Sequence, residues 1–225
     1  MKNYSKELPN YTKGEELFNA ISHIAGGAFG IVALVLGVVF ACLHSDAYGI
    51  VSMAIYGSSM IILYTMSAIY HFLRKNRAKK VFRIFDHCTI YLLIAGTYTP
   101  YCLVTLREAG AWGWSIFFIV WIVAVLGIIG NAINMHHPLI KKLSMICYIA
   151  LGWCIIVALK PLIDNLGTPG FIWLLLGGLM YTIGAVFYGF GKKKKFIHSV
   201  WHLFCLVGTF FQFMSILLYV ILWFW

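Results

Sequence analysis

Long apolar runs separated by short polar breaks repeat along the whole of this 225-residue chain. The runs cover roughly 17–43, 48–73, 86–106, 113–134, 142–161, 169–190 and 196–223. Each supplies about the 20 residues that a helix rising ~1.5 Å per residue needs to cross a hydrocarbon core of ~30 Å. The two-residue alternation of a barrel wall is missing, and a backbone in lipid must satisfy its own hydrogen bonds, so the runs predict helices. The expected fold class is an all-α membrane protein, a seven-transmembrane helix bundle whose short connections make neighbours antiparallel. A cytoplasmic N-terminal segment, 1–16, is expected to lead into a single seven-helix transmembrane domain, 17–225.

Composition sharpens this picture. The chain is 62% hydrophobic and 11% charged, with a mean hydropathy of +0.88, far from a soluble domain. Residues 1–16 mix Lys2, Lys6 and Lys13 with Glu7, Glu15 and Glu16 and lack the pattern of a cleaved signal peptide, so the first helix is expected to remain. The cysteines (Cys42, Cys88, Cys102, Cys147, Cys154, Cys205) form no CxxC pair and read as packing residues.

A net charge of +10 suggests nucleic acid until it is mapped. Fifteen of the 17 basic residues fall on one side: the N-terminus, the segment from Arg74 to Arg83, Lys141 and Lys142, and Lys192 to Lys195. The other side holds Arg107 and Lys160, offset by Asp46, Glu108 and Asp164. The positive-inside rule then predicts a cytoplasmic N-terminus and an external C-terminus. The basic loops would also attract anionic lipid head groups, and nucleic acid is not an expected partner. Trp223 and Trp225 are expected to anchor the outer interface.

Ionisable side chains inside such a chain are costly and mark sites. His71 and Ser67, four apart, sit near the end of the second run; His198 and His202, four apart, sit near the start of the seventh. Counting along each helix from its basic flank places His71 and His198 about 4–5 Å deep, and Ser67 and His202 about 10 Å. Asp86 follows Arg83 at the start of the third run, and His23 lies near the start of the first. Residues four apart share a helix face, so an HxxxH pair plus a third imidazole makes a three-histidine metal set with a position left for water. Asp86 could hydrogen-bond that water or offset the metal charge. A lone boundary histidine is ordinarily a packing residue; three histidines, an acid and a serine at matched depth are a different matter. His87 points about 100° from Asp86 on a helix and reads as a lipid-boundary or packing residue. His44, His136 and His137 read as loop residues without a metal role.

These residues fall into motifs: Glu16-x-x-Asn19-x-x-x-His23, Ser67-x-x-x-His71, Phe82-x-x-x-Asp86-His87, the run Ala95-Gly96-Thr97-Tyr98-Thr99-Pro100, and His198-x-x-x-His202 within HSVWHLF. With them the chain resembles the haemolysin III family, the bacterial branch of the progestin and adipoQ receptor superfamily, over essentially its whole length. The resemblance implies seven helices and a zinc ion near the cytoplasmic face, bound by His71, His198 and His202. It also implies that Asp86 orients the bound water with Ser67 close by, in a multi-pass protein of the bacterial plasma membrane. Glu16, Asn19 and His23 either form a network behind the metal ligands or cap and pack the first helix. Gly26-x-x-x-Gly30, Gly177, Gly178 and Gly184 read as close helix contacts, and Pro100 as a kink in the third helix.

Three functions compete. The leading expectation is a zinc-dependent hydrolase of a membrane lipid amide or ester, using a water whose pKa zinc lowers to about 7 and Asp86 as base or proton shuttle. The second is a non-enzymatic lipid-sensing or membrane-homeostasis protein with a structural zinc site, which would normally need four protein ligands. The third is the pore-forming haemolysin of the family name, for which seven permanently apolar spans give little support. A transporter or channel would be expected to carry more midplane polarity than Gln212 and Ser215.

Overall fold

The computed structural model describes residues 8–135, 137–190 and 194–223. Lys2, Lys6, Glu7, His136, Lys192, Lys193 and Trp225 lie outside the described residues. The described chain is helical, in the order α1 (Lys13–His44), α2 (Ala47–Phe72), α3 (Arg77–Pro100), α4 (Trp112–Asn134), α5 (Pro138–Trp153), α6 (Leu159–Phe190) and α7 (Ile197–Ser215). Six helical stretches among the described residues are long and apolar enough to cross a membrane. One of these is a continuous 52-residue stretch, Pro138–Gly189, that takes in α5 and α6.

Local chemistry sets most of the helix starts. Thr12 opens α1 with a reciprocal cap, its side chain accepting from the Glu15 N–H while Glu15 accepts from the Thr12 N–H at 2.8 Å. Asp46 accepts from the N–H groups of Tyr48 and Gly49 at α2, and Asn76 from Lys79 at α3. Pro138 occupies the first turn of α5. Phe196, at φ 61°, lacks a side-chain cap for α7; its own N–H instead donates to Glu15 Oε1 at 2.7 Å, joining the starts of α1 and α7.

Two expected features differ. The third helix begins at Arg77 rather than near Asp86, because the basic stretch that lowers local hydropathy is itself helical and capped by Asn76. The connection from α2 to α3 therefore shrinks to four residues, 73–76, and the expected basic loop buries Lys79 and Arg83. At Pro100 the third helix passes directly into a π-helical turn, Tyr101–Thr105. The imide lacks the N–H that regular α-helix would need there.

The helices form a ring in which each packs on the next, and α1 closes it against α7. The contacts of α5 are the sparsest, which leaves room between α3, α5 and α6. On α1, Ile21, Ile24, Ile31, Val35 and Val39 face outward, an apolar surface suited to lipid. The inner side of α1 is made of small residues. A side chain at Gly26 would meet Tyr64 at 2.5 Å and Leu206 at 2.8 Å, and one at Gly30 would meet the Ile61 backbone nitrogen at 3.1 Å. This close crossing brings Glu16, Asn19, Ser22 and His23 over the last turn of α2 and the first turns of α7.

Candidate metal centre

His71 lies in the last turn of α2, and His198 and His202 in the first two turns of α7. Their four-residue spacing turns both α7 imidazoles inward. All three rings are buried, and one ligand nitrogen from each lies within 4.8 Å of the others. Ring centroids are 5.3 Å apart for His71 and His198, 4.9 Å for His71 and His202, and 4.8 Å for His198 and His202. The Nε2 atoms of His198 and His202 face each other at 3.2 Å.

The groups behind the rings decide which nitrogens point inward. His71 Nδ1–H donates to Glu16 Oε2 at 2.7 Å, with Asn19 Nδ2 3.5 Å from the same nitrogen. That tautomer leaves Nε2 of His71 as a lone pair, and it is buried with no hydrogen-bond partner. Ser22 donates its hydroxyl proton to the Asn19 carbonyl at 3.0 Å. It can then accept from His202 Nδ1–H at 3.4 Å, which leaves the lone pair of His202 Nε2 facing His198 Nε2. Buried nitrogen acceptors without donors are costly. A divalent cation of the zinc type satisfies such a set, and a carboxylate behind a ligating histidine is the usual way to fix its ring. The residues therefore fit the metal.

Among the described residues, the group of mutually close ligand atoms holds these histidines and no carboxylate. Asp86 stands beside it: the Ser67 hydroxyl hydrogen-bonds its carboxylate, and Oδ2 is 3.4 Å from His87 Nδ1. Ser67, Asp86, His23, His198 and His202 all line a cavity of about 160 Å³. Its walls are mostly apolar, with Ile90, Ile94, Ile149 and Trp153 among them, and it runs inward as far as Thr97 and Gln212. From Asp86 to Thr97 the rise along α3 is about 16 Å. His23 stacks on His202 at 3.7 Å, and neither of its ring nitrogens has a hydrogen-bond partner.

His87, read from the sequence as a lipid-boundary or packing residue, lines the cavity and faces Asp86. The cavity spans enough of the α3 wall for adjacent residues to reach it. His44 ends α1 rather than lying in a loop, and His137 lies just outside α5, its ring nitrogen accepting from the Leu139 N–H; neither belongs to the close group of ligand atoms.

Sequence reasoning passed over several neighbours of the site. Lys79 is fully buried, its Nζ 2.7 Å from Glu16 Oε1. Tyr11 stacks on His198 at 4.9 Å with an interplanar angle of 14°, and burial pushes its hydroxyl above the ordinary tyrosine range, leaving a neutral group. Tyr188 also packs on His198, with ring centroids 5.6 Å apart. Lys79 looked like one more topology-setting cation in a basic stretch, and Tyr11 like part of a polar leader. The available signal for Tyr11 was its place directly before the Thr12 cap.

A family model described as "Haemolysin-III related" matches residues 11–213, a span that holds every residue of this centre. Similar proteins include "Hemolysin-3" of Bacillus cereus, 44% identical over 92% of each chain. "Hemolysin-3 homolog" of Bacillus subtilis (strain 168) is 40% identical over 93% of this chain and 96% of that one. The human "Monocyte to macrophage differentiation factor" is 29% identical over 84% of this chain and 78% of its own.

Proposed function

Because the chain belongs to the haemolysin III-related family, whose members' likeness here spans the whole helical body, we propose that it is a zinc-dependent hydrolase cleaving an acyl amide or ester of a membrane lipid. The observation that carries this reading is the junction of two features. Three buried imidazoles converge, one ligand nitrogen of each within 4.8 Å of the others and His71 Nε2 without a hydrogen-bond partner, and they do so at one end of an apolar-walled cavity lined by His198, His202, Ser67 and Asp86.

Zinc held by His71, His198 and His202 would supply a Lewis acid and a water of pKa about 7. The chain's own groups do the rest. Ser67 donates to the Asp86 carboxylate and aims it into the cavity. Asp86 takes the proton of the attacking water and returns it to the leaving amine or alkoxide. The apolar walls hold the acyl chain and exclude bulk water. The rival reading, a structural zinc staple, is better served by four protein ligands, and the close group of ligand atoms contains no carboxylate.

The same proposal includes the topology. The 52-residue stretch would rise about 78 Å as one straight helix, against a hydrocarbon core of ~30 Å. Gly167 breaks it with φ 74° and ψ 154°, backbone open to glycine at no steric cost. Two crossings turning at Gly167 bring the total to seven and put the N-terminus in the cytoplasm and the C-terminus outside, in the bacterial plasma membrane. The basic end then meets anionic head groups.

Purified, zinc-loaded protein incubated with a panel of fluorescent acyl amides and esters in mixed micelles tests the activity. Turnover that disappears in His198→Ala/His202→Ala is the expected result. A fully loaded protein without turnover on any acyl amide or ester would remove the catalytic reading.

A further inference from the structure

Lys79 is an ammonium buried to 1% exposure inside a membrane protein, a placement that is costly unless every donor is used. Each of its donors has an acceptor: Glu16 Oε1 at 2.7 Å, the Leu73 carbonyl at 3.0 Å and the His71 carbonyl at 3.4 Å. It also lies over the Tyr70 ring, 4.8 Å from the centroid. The Asn76 cap pins Lys79 at the third residue of α3, accepting from its N–H at 2.9 Å. The two carbonyls belong to the end of α2, where the helix leaves acceptors without intrahelical donors and favours a cation. No donor remains for a ligand, so the ammonium acts inward.

Glu16 is the hinge of the arrangement, with one carboxylate oxygen on Lys79 and the other on His71 Nδ1. We propose that Lys79 is a positioning residue for the metal centre. It grips the backbone of His71 and the carboxylate behind it together, and so holds the imidazole with Nε2 turned toward His198 and His202. The chain Lys79–Glu16–His71 draws on α3, α1 and α2 and fixes the one ligand that does not come from α7. This inference rests on the metal site proposed above; it adds a residue that touches neither metal nor cavity.

The test measures zinc affinity by competition with a fluorescent chelator, beside thermal unfolding of the metal-free protein. The variants are Lys79→Met, Lys79→Arg, Glu16→Gln and the charge-free double variant Glu16→Gln/Lys79→Met. Outer partners of metal ligands typically change affinity by about 10–100-fold. We expect Lys79→Met and the double variant to lose affinity in that range while still reaching one zinc per chain at saturation, and Lys79→Arg to stay near the parent. If Lys79→Met alone fails to fold, because it strands the Glu16 charge, the double variant is read against Glu16→Gln alone, since replacing both members of a buried ion pair is generally tolerated: a further loss of affinity beyond the single variant carries the proposal, and equal affinity overturns it. Parental zinc affinity in Lys79→Met or the double variant, with only the unfolding temperature lowered, would show a purely structural lysine and overturn the proposal. So would a double variant that cannot fold. A parent protein that binds no zinc would instead remove the metal site itself.

Discussion

Gly26→Ala tests the packing that brings α1 over the histidines. A Cβ there would lie 2.5 Å from Tyr64 Cδ1, 2.7 Å from Tyr64 Cγ and 2.8 Å from Leu206 Cδ2. Tyr64 cannot swing away cheaply: it is fully buried, and its hydroxyl is 2.6 Å from Thr209 Oγ1. The clash must push α1 outward, one turn from His23 and its stack on His202. Gly130→Ala in α4 is the matched control, because a Cβ there meets nothing within 4 Å. Both substitutions gain the same helix propensity, roughly 0.5–1 kcal/mol, so their difference isolates the overpacking cost of about 1–3 kcal/mol. For a chain of this size, each kcal/mol moves the unfolding midpoint by about 2–4 °C, so Gly26→Ala should melt roughly 2–12 °C below Gly130→Ala. Thermal unfolding in one detergent, followed by an intrinsic tryptophan signal, reads the difference. Equal midpoints would refute the close α1–α2–α7 crossing on which the site geometry depends.

Three further outcomes are expected. Tyr64→Phe removes the hydroxyl that meets Thr209 Oγ1 and the Cys205 carbonyl and should cost about 0.5–1.5 kcal/mol, read as a lower unfolding midpoint with unchanged metal content. Asp86→Asn should keep one metal per chain, because the three-histidine group contains no carboxylate, yet lower lipid hydrolysis by about 10²–10⁴-fold; loss of the metal in that variant would make Asp86 a ligand. At the opposite end of the bundle, the hydrogen bond from Arg107 Nη1 at 2.7 Å holds the Asp46 carboxyl below its ordinary range. A depressed folded pKa stabilises above the unfolded value of about 3.9 and is lost as pH falls through the folded value. The pair is exposed, so the effect is small. The midpoint of the parent should therefore fall more than that of Arg107→Ala between pH 6 and pH 3.

The helical fold was legible because lipid removes alternatives: a run such as Ile116 to Gly130, apolar on every face, has no other stable form there. Helix ends were less legible. Hydropathy stopped the third helix near Asp86, whereas the Asn76 cap starts it nine residues earlier, at Arg77. The same averaging put Lys79 among surface cations, since burial of a lysine depends on partners from other helices, here Glu16 and the end of α2. The three histidines stood out because four-residue spacing and depth are properties of single helices, and one close crossing was enough to unite them. His87 was misjudged because an angular argument about one helix takes no account of how wide a neighbouring cavity is.

Whether His71, His198 and His202 hold a metal decides the proposed function. The most direct measurement is the metal content, by plasma mass spectrometry, of detergent-purified protein beside His198→Ala/His202→Ala. About one zinc per chain in the parent, absent from the variant, is the predicted result. Parent protein with no stoichiometric metal would contradict the account, and would leave the three imidazoles as a buried polar cluster.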